Sequence, residues 1–421
     1  MFPAKEDPAR EGHTAEEELA EEEPAKRELA KDDTAKVGTV KDINAKADTV
    51  KESSKFLKSL CLHVSHDCNL NCEYCFASKG DYKSGCSLMT EEVALRAVDY
   101  LVENSGSRCN IEIDFFGGEP LLNFDTVVKA VDYGKSLENK TGKRFYFTIT
   151  TNGVLLDDEK INFINKYMDN VVISIDGRKE IHDSIRTDRA GKGTYDKIIP
   201  LAKKLVALRD GKSYFIRGTF TSRNKDFSND VKHLAGLGFK EISIEPVVGS
   251  GDALFIKEQD VPGILGEYEE LAVEYLKLLQ QGNSFRFYHF NLNLYEGPCV
   301  YKRIAACGAG SEYFAVSPEG YLYPCHQFVG QKEFIMGDIF NGIGENPGTA
   351  GLRKMFKENN ILTKEKCMDC WAKLYCSGGC HANAWYSNRD ISKPNEIACT
   401  LQKKRIECAI MIQAAIMLLT H

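Results

Sequence analysis

Short apolar runs alternate with amphipathic stretches of helical period between residues 58 and 249. The pattern predicts strands over 60–64, 110–116, 144–150, 170–175, 214–219 and 241–246. It also predicts helices between them, such as 90–105, where Thr90 is a typical N-cap and Glu91 and Glu92 suit the first turn. Strands that alternate with helices indicate an α/β fold with a parallel βα array. These repeats are too few to close a complete barrel.

The remaining chain divides by composition. Residues 1–55 contain a ten-residue quasi-repeat of alanine and lysine, with no aromatic residue or cysteine between Phe2 and Phe56. We therefore predict a low-complexity, largely disordered tail over 1–55. The barrel would occupy 56–250, followed by a helical linker over 251–298 that contains a helix at 261–281. A cysteine-rich domain over 299–410 and a C-terminal tail over 411–421 complete the predicted organisation.

Charge and hydropathy narrow the classes of partner and compartment. The formal net charge of -7 gives no reason to expect nucleic acid. No apolar run approaches the roughly 20 residues of a membrane span, and no signal peptide is visible. Fifteen cysteines, several of them in close clusters, are typical of metal ligands in a reducing compartment. We expect a cytoplasmic protein of an anaerobe.

Three cysteines, Cys68, Cys72 and Cys75, stand in a C-x3-C-x2-C spacing on the loop that leaves the first predicted strand. Three thiolates on one loop can converge on one soft metal centre, whereas a closed zinc site or an all-cysteine four-iron cluster needs a fourth ligand. Three ligands therefore leave one iron open for a small molecule. A partial zinc knuckle or a chance cluster is the alternative for this loop alone.

This stretch, including Tyr74 before the third cysteine, resembles the signature of the radical SAM enzymes. The resemblance implies a 4Fe-4S cluster whose open iron chelates S-adenosyl-L-methionine (SAM). In that family, SAM is cleaved to methionine and a 5'-deoxyadenosyl radical, which abstracts a hydrogen atom from the substrate. The resemblance also implies a partial (βα)6 TIM-type barrel. Catalysis is then expected to depend on Cys68, Cys72 and Cys75.

Polar turns follow several predicted strands, where a βα array carries its site. The turn Gly117-Gly118-Glu119-Pro120 resembles the family's GGEP motif, which holds the SAM amino group. Polar groups after the third and fourth strands bind the ribose and carboxylate in the family. The resemblance thus assigns SAM binding to Tyr74, Gly117, Gly118, Glu119, Pro120, Asn152, Ser174, Asp176 and Arg217.

Arg217 lies on the fifth predicted strand between apolar Ile216 and Phe220. A cation in such surroundings needs an anionic partner, and the SAM carboxylate is the obvious one. Arg186 is a rival for that role. A structural salt bridge is an open alternative for either arginine.

A second cysteine constellation lies in the last third of the chain, and its residues alone leave zinc and iron equally open. Its spacing resembles the SPASM domain, which holds two auxiliary 4Fe-4S clusters and would bring the total to three. The resemblance implies an outer set of Cys367, Cys370, Cys376 and Cys399. It implies an inner set, nearer the SAM site, of Cys307, Cys325 and Cys380.

The fourth ligand of the inner set is open. Cys299 precedes Cys307 by only eight residues and follows the turn Gly297-Pro298. Three interpretations remain for Cys299: a permanent ligand, a ligand that exchanges with a substrate thiolate, or a structural cysteine.

The segments Gly297-Pro298-Cys299, Pro318-Glu319-Gly320 and Tyr323-Pro324-Cys325-His326-Gln327 resemble the maturases of SCIFF (six cysteines in forty-five) peptides. That resemblance implies an oxidoreductase that forms thioether crosslinks in a cysteine-rich precursor peptide. It also implies a low-potential electron donor such as flavodoxin or ferredoxin. Such maturases usually begin with a winged-helix-like leader-binding domain. Residues 1–55 lack its pattern, so a separate leader-binding protein is one possibility.

Two other functions stay open at this point. Another SPASM enzyme, such as a sulfatase-maturating enzyme that makes formylglycine, would also cleave SAM but give a different product. A non-catalytic metal-binding scaffold would bind zinc and release no deoxyadenosine. The three-cysteine loop and the glycine turn at the barrel mouth favour the enzymes.

Overall fold

A single mixed β-sheet runs through most of the computed structural model, which describes residues 57–249, 253–292, 303–304, 306–344 and 346–420. The strands are β1 Ser59–Ser65, β2 Asn110–Gly117, β3 Arg144–Thr151, β4 Asn170–Ser174, β5 Ser213–Phe220, β6 Glu241–Pro246, β7 Arg286–Phe287, β8 Tyr313–Val316, β9 Tyr321–Tyr323, β10 Gly337–Asp338 and β11 Gly342–Ile343. The predicted tail over 1–55 and the candidate ligand Cys299 lie outside the described residues.

The α-helices follow the strands in the order that the sequence pattern predicts for the first half. They are α1 Glu91–Asn104, α2 Phe124–Thr141, α3 Asp158–Tyr167, α4 Lys179–Ile185, α5 Tyr195–Ala207, α6 Phe227–Gly236, α7 Val261–Gln280, α8 Pro347–Glu358, α9 Glu365–Met368, α10 Lys373–Cys376, α11 His381–Asn388 and α12 Glu396–Thr420. Short 3-10 turns occupy Ser78–Gly80, Pro120–Asn123, Glu258–Asp260, Tyr288–Phe290, His326–Phe328 and Lys332–Phe334.

Strands β1 to β6 pair in parallel and in chain order, with a helical crossover after each of the first five. Alternate residues of each strand point to one face, so Ile111 and Ile113 on β2 and Phe145 and Phe147 on β3 are fully buried. The six predicted strands and the partial (βα)6 barrel are confirmed. The helix predicted over 90–105 is α1, and the Thr90 side chain accepts a hydrogen bond from the Val93 N–H at its start.

The sheet continues beyond the six predicted strands on both sides. Strand β7 pairs in parallel with β6, and β8 pairs in parallel with β1. Strands β9, β10 and β11 then add antiparallel pairs. The cysteine-rich part of the chain therefore shares one hydrogen-bonded sheet with the barrel, and β1 lies between the two parts.

The last helix packs against the barrel through a buried cation. On α12, the Arg405 Nε donates to the Tyr268 hydroxyl of α7 at 2.8 Å, and an Arg405 Nη lies 3.3 Å from the Glu245 carboxylate at the end of β6. Helix α12 continues to Thr420, so most of the segment 411–421 that we separated as a tail is helical.

A second buried arginine closes the far end of the barrel. The Arg209 guanidinium donates to the carbonyls of Ile164, Met168, Asp169 and Ser213 at 2.5–3.3 Å. Three of these acceptors lie at the end of α3 or just after it. The Ile164 carbonyl also accepts from the Met168 N–H, whereas carbonyls beyond the helix end have no intrahelical donor. Burial lowers the pKa of Arg209 only to about 10, so it remains charged at neutral pH.

We predict that Arg209→Met lowers the free energy of unfolding by about 3 kcal/mol, because several buried carbonyls lose a charged donor. Chemical denaturation of the purified chain measures the change. Lys212→Met is the matched control, since the Lys212 Nζ also donates to two carbonyls near the end of α3 but is exposed to solvent. The control should lose less than about 1 kcal/mol. Equal losses in both variants would contradict the argument.

Candidate active site

The three-cysteine loop follows β1 and is held by close backbone packing. Gly80 has a φ of +100°, and a Cβ at that position would lie 2.6 Å from the Cβ of Cys68. Arg189 donates to the Cys68 carbonyl at 2.9 Å and also pairs with the Asp67 carboxylate. A side chain at residue 80 would collide with Cys68, so the turn Ser78–Gly80 can pack against the start of the cysteine loop only because residue 80 is glycine.

The turn Gly117-Gly118 is packed against the same loop. The N–H groups of Gly118 and Glu119 donate to the carbonyls of Ser65 and Asp67 at 2.8 and 2.9 Å. A Cβ at Gly117 or Gly118 would lie 2.2 Å from one of these carbonyl oxygens. The close approach that requires the two glycines here is to the cysteine loop.

A cavity of about 380 Å³ opens between the cysteine loop and the carboxyl ends of the parallel strands. Many of the residues assigned to the site from the sequence line it together. They are Cys68, Cys72, Tyr74, Cys75, Gly117, Gly118, Asn152, Ser174 and Arg217. Pro246, Val247, His326, Gln327 and Cys380 contribute to other parts of its wall.

Glu119 and Pro120 do not line this cavity but lie behind its wall. The Glu119 carboxylate is fully buried and accepts hydrogen bonds from the Thr151 hydroxyl at 2.7 Å, the Asn152 N–H at 2.8 Å and the Leu121 N–H at 3.0 Å. Burial raises its pKa to about 7 despite these donors. Glu119 therefore links the ends of β2 and β3 and positions Asn152.

Asp176 also lies behind the wall and connects three elements. Its carboxylate accepts a hydrogen bond from the Tyr74 hydroxyl at 2.8 Å, from the Arg186 Nε at 3.0 Å and from the Thr219 N–H at 2.9 Å. The Arg186 guanidinium stacks over the Tyr74 ring at 5.3 Å. Tyr74 is thus fixed at the cavity surface by a buried ion pair.

The two candidate arginines differ in their surroundings. Arg186 forms a buried ion pair with Asp176. This is the structural salt bridge that we considered as an alternative from the sequence. Arg217 is exposed to the cavity and has no partner at salt-bridge distance in the described part of the chain. The nearby Glu245 carboxylate, whose pKa is lowered to about 2 by His289, Arg405 and Arg217, already pairs with Arg405.

The cysteine loop combines buried thiols with N–H groups that point at one of its sulfur atoms. Burial raises the pKa of Cys68 to about 12 and of Cys72 to about 11, so these thiols ionise only beside a strong cation. The Leu70 N–H points at the Cys68 Sγ at 3.4 Å, and the Asn152 Nδ2 approaches it at 3.8 Å. Such N–H groups stabilise a thiolate more than a thiol, because a thiol is a weak acceptor. These residues fit an iron–sulfur cluster.

A second cavity, of about 320 Å³, lies in the C-terminal part of the chain. Cys367, Cys370, Cys376 and Cys399 all line it, and these are the four cysteines assigned to the outer set. Cys367 and Cys370 come from α9 and the turn after it, Cys376 from α10 and Cys399 from α12. Burial raises the pKa of Cys399 to about 11.

The three cysteines of the inner set lie near one another, and one of them, Cys380, lines the first cavity. The thiols of Cys380 and Cys307 act electrostatically on the buried thiol of Cys325, whose pKa is raised mainly by burial. The Gln327 N–H points at the Cys325 Sγ at 3.4 Å. Cys380 is exposed as a residue and lines the first cavity, and burial nevertheless raises the pKa of its thiol.

The turn between Cys376 and Cys380 directs these cysteines to different cavities. Ser377, Gly378 and Gly379 have φ values of 58°, 86° and 74°, a left-handed run that reverses the chain. The Gly378 and Gly379 N–H groups donate to the Cys376 thiol and lower its pKa, against the larger raising effect of burial. Among the described residues, no three His, Cys, Asp or Glu side chains are placed to share a single metal ion. In a four-iron cluster, by contrast, each thiolate binds its own iron.

Three cavity residues were missed as site residues in the sequence. His326 and Gln327 lie in the motif that carried the family resemblance, directly after Cys325, and that position was a usable signal. Glu245 lies near the end of a predicted strand, and its partners, Arg405 of α12 and the buried His289, come from distant segments that no local pattern reveals.

Comparison with known proteins agrees with this geometry. Residues 62–227 match the family model of the Radical SAM superfamily. Over 373 residues the chain is 24% identical to the radical SAM cyclopropyl synthase TigE of Paramaledivibacter caminithermalis, with 84% of this chain and 74% of the relative covered. Over 334 residues it is 27% identical to a cysteine-type anaerobic sulfatase-maturating enzyme of Clostridium perfringens, with coverages of 75% and 86%.

A solved structure described as native anSMEcpe with bound AdoMet and Kp18Cys peptide has a similar fold. The TM-score is 0.70 at 22% identity, covering 85% of this chain and 98% of that one. Residues 62–227 therefore form a radical SAM domain, a family whose members use SAM and a 4Fe-4S cluster. Over most of its length the chain is similar to radical SAM enzymes. No helix in the described ranges is long and apolar enough to cross a membrane.

We predict that Asp176→Asn weakens SAM binding by roughly tenfold, because Arg186 loses its buried counter-ion and Tyr74 its fixed position. Anaerobic equilibrium dialysis of the iron-loaded enzyme measures the dissociation constant. Asp226→Asn is the control, since Asp226 also pairs with an arginine, Arg178, at 2.9 Å but is 44% exposed. Unchanged SAM binding in a folded Asp176→Asn enzyme would show that Tyr74 needs no such support.

Proposed function

We propose that this radical SAM enzyme is a peptide maturase that forms thioether crosslinks between cysteine sulfur and carbon in a cysteine-rich, ribosomally made precursor. Cys380 carries the proposal. It belongs to the inner cysteine set and lines the same cavity as Cys68, Cys72 and Cys75. A thiolate site beside the radical site is what sulfur-to-carbon bond formation requires, because both partners must meet within one enclosed volume.

The cofactors supply the radical chemistry, and the chain binds, orients and shields. When bound at Cys68, Cys72 and Cys75, the cluster and SAM provide a 5'-deoxyadenosyl radical that removes a hydrogen atom from a substrate carbon. We propose that Arg217 holds the SAM carboxylate, since Arg186 is already paired with Asp176.

The proposed SAM contacts fall into two groups. Gly117, Gly118, Asn152 and Ser174 present backbone and polar groups to the cavity, and Tyr74 closes one side of it. Glu119, Pro120 and Asp176 act from behind, through the turn and strand ends that they hold. We therefore propose them as positioning residues.

We further propose that the two C-terminal cysteine sets hold auxiliary 4Fe-4S clusters, which makes three in total. The outer cluster would use Cys367, Cys370, Cys376 and Cys399. The inner cluster would use Cys307, Cys325 and Cys380, with Cys299 or the substrate thiolate as the fourth ligand. Metal coordination ionises a thiol, so this set would hold the substrate sulfur as a thiolate, with its proton released to solvent. The electron left over when the thiolate bonds to the carbon radical would pass to the auxiliary clusters.

We also propose the domain boundaries, the partners and the compartment. We assign the barrel to 56–250, the linker to 251–298 and the auxiliary-cluster domain to 299–410. The partners would be the precursor peptide, a low-potential donor such as flavodoxin or ferredoxin, and a separate leader-binding protein, all in the cytoplasm.

A second candidate is the conversion of a sulfatase cysteine to formylglycine. The match to the Clostridium perfringens sulfatase-maturating enzyme favours it, because the alignment covers 86% of that protein. Its product differs by chemistry: formylglycine loses the cysteine sulfur, whereas a thioether keeps it. The two functions can therefore be separated by the mass of the peptide.

The deciding experiment incubates the anaerobically reconstituted enzyme with SAM, a reductant and either a six-cysteine precursor or a sulfatase-derived cysteine peptide. We expect the precursor to lose two hydrogen atoms per crosslink and to resist thiol alkylation, as measured by mass spectrometry. Conversion of the sulfatase peptide alone would contradict the thioether proposal and support the second candidate.

Cys380→Ala should lower thioether formation relative to 5'-deoxyadenosine formation by more than about tenfold, because the substrate sulfur loses its metal site. Cys109→Ala is the control, since Cys109 is exposed and belongs to neither cysteine set. An unchanged ratio of thioether to 5'-deoxyadenosine in Cys380→Ala would contradict a role of the inner set in crosslinking.

A further inference from the structure

A fully buried lysine lies between the two C-terminal cysteine sets. Lys364, the residue before α9, is 2% exposed. Its Nζ donates to the Gly378 carbonyl at 2.8 Å, and the described residues offer it no other hydrogen-bond or ion-pair partner. A buried ammonium that has only a peptide carbonyl for a partner is strongly destabilising unless an anion compensates it.

The surrounding thiols indicate where that anion would be. Burial lowers the pKa of Lys364, and the thiols of Cys367, Cys376, Cys380 and Cys399 act against that effect. Three of these cysteines line the outer cavity, and Cys380 belongs to the inner set. No carboxylate of the described chain pairs with Lys364, although most buried lysines have such a partner.

One peptide group connects Lys364 to a cysteine sulfur. The Gly378 carbonyl accepts from the Lys364 Nζ at 2.8 Å, and the Gly379 N–H of the same peptide unit lowers the pKa of the Cys376 thiol. A cation at the carbonyl polarises the peptide and strengthens its N–H as a donor. The lysine charge therefore reaches the sulfur both through space and through this hydrogen-bond chain.

We propose that Lys364 is the built-in counter-cation of the anionic group held by Cys367, Cys370, Cys376 and Cys399, and that its charge sets the reduction potential of that group. The inference rests on the proposed assignment of a 4Fe-4S cluster to this set. Lys364 touches neither substrate nor SAM and is a positioning residue. Charge and hydrogen bonds at the sulfurs are established determinants of cluster potential.

The expected effect follows from the sign of the charge. Reduction adds an electron to an already anionic cluster, so a nearby cation favours the reduced form. Lys364→Met removes the charge but keeps a long, unbranched side chain. We expect the one-electron reduction equilibrium of the outer cluster to become at least about tenfold less favourable, which equals a potential about 59 mV lower.

The test is an anaerobic redox titration of the iron-loaded full chain, followed by electron paramagnetic resonance. Replacing Cys68, Cys72 and Cys75 by Ala in every variant leaves only the auxiliary signals. Lys366→Met is the matched control, because Lys366 lines the same cavity but its side chain is 61% exposed and pairs with Glu396. Solvent screens such a charge, so the control should keep the wild-type potential.

Lys364→Arg separates charge from packing. A lower potential in Lys364→Met, a wild-type value in Lys366→Met and a return towards wild type in Lys364→Arg support the proposal. A wild-type potential in Lys364→Met overturns it, as does an equal shift in Lys366→Met. Should Lys364→Met also lose iron, retention of iron by Lys364→Arg supports the proposed role of the charge, whereas loss of iron from both variants overturns the proposal in favour of a packing role.

The proposed function is tested separately. Iron and zinc analysis of the wild-type chain decides whether a 4Fe-4S cluster is present, and peptide mass decides whether thioethers form. A wild-type enzyme that binds three clusters but makes formylglycine would remove the thioether proposal and leave the Lys364 result intact.

Discussion

The pairing of β1 on both of its edges is the constraint on which the rest of the structure depends. One edge joins the barrel strand β2, and the other joins β8 of the cysteine-rich part. Since both pairs are parallel, the three-cysteine loop after β1 leaves the sheet between the two halves. The cavity beyond this loop therefore receives side chains from the barrel ends on one side and His326, Gln327 and Cys380 on the other.

The local sequence pattern was sufficient to predict the strands and helices of the barrel, because each of them depends on residues that are adjacent in the chain. The apolar alternation on β2 and β3 and the Thr90 cap are of this kind. The cysteine sets were grouped by spacing within a family resemblance, and the cavity lined by Cys367, Cys370, Cys376 and Cys399 has the same grouping. Their metal content stays a prediction.

Contacts between distant segments could not be predicted from local pattern. The sequence gives no sign that β8 joins β1, because strand pairing over such a separation depends on the tertiary fold. The same holds for Arg405, which reaches Glu245 from the last helix. A motif fixes the position of a residue in the chain but not the direction of its side chain. Glu119 and Asp176, which were assigned to SAM from their motifs, therefore lie behind the cavity wall without any sign of this in the sequence.

The charged side chains around the two cavities are of two kinds, those with a counter-ion in the chain and those without one. Asp176 and Arg186 neutralise each other, and their pairing holds Tyr74 in one orientation whether or not a ligand is present. Lys364 is buried near the outer cysteines without a carboxylate at salt-bridge distance within the described residues. Arg217 also lacks such a partner there, but it is exposed to the cavity. A protein that buries a cation without its own counter-ion gains stability when the anion binds, because the ligand supplies the missing compensation. If the proposed assignments hold, we expect cofactor loading to stabilise the fold most through Lys364, whose charge is buried beside the outer cysteines, and less through Arg217, which solvent in the cavity already screens.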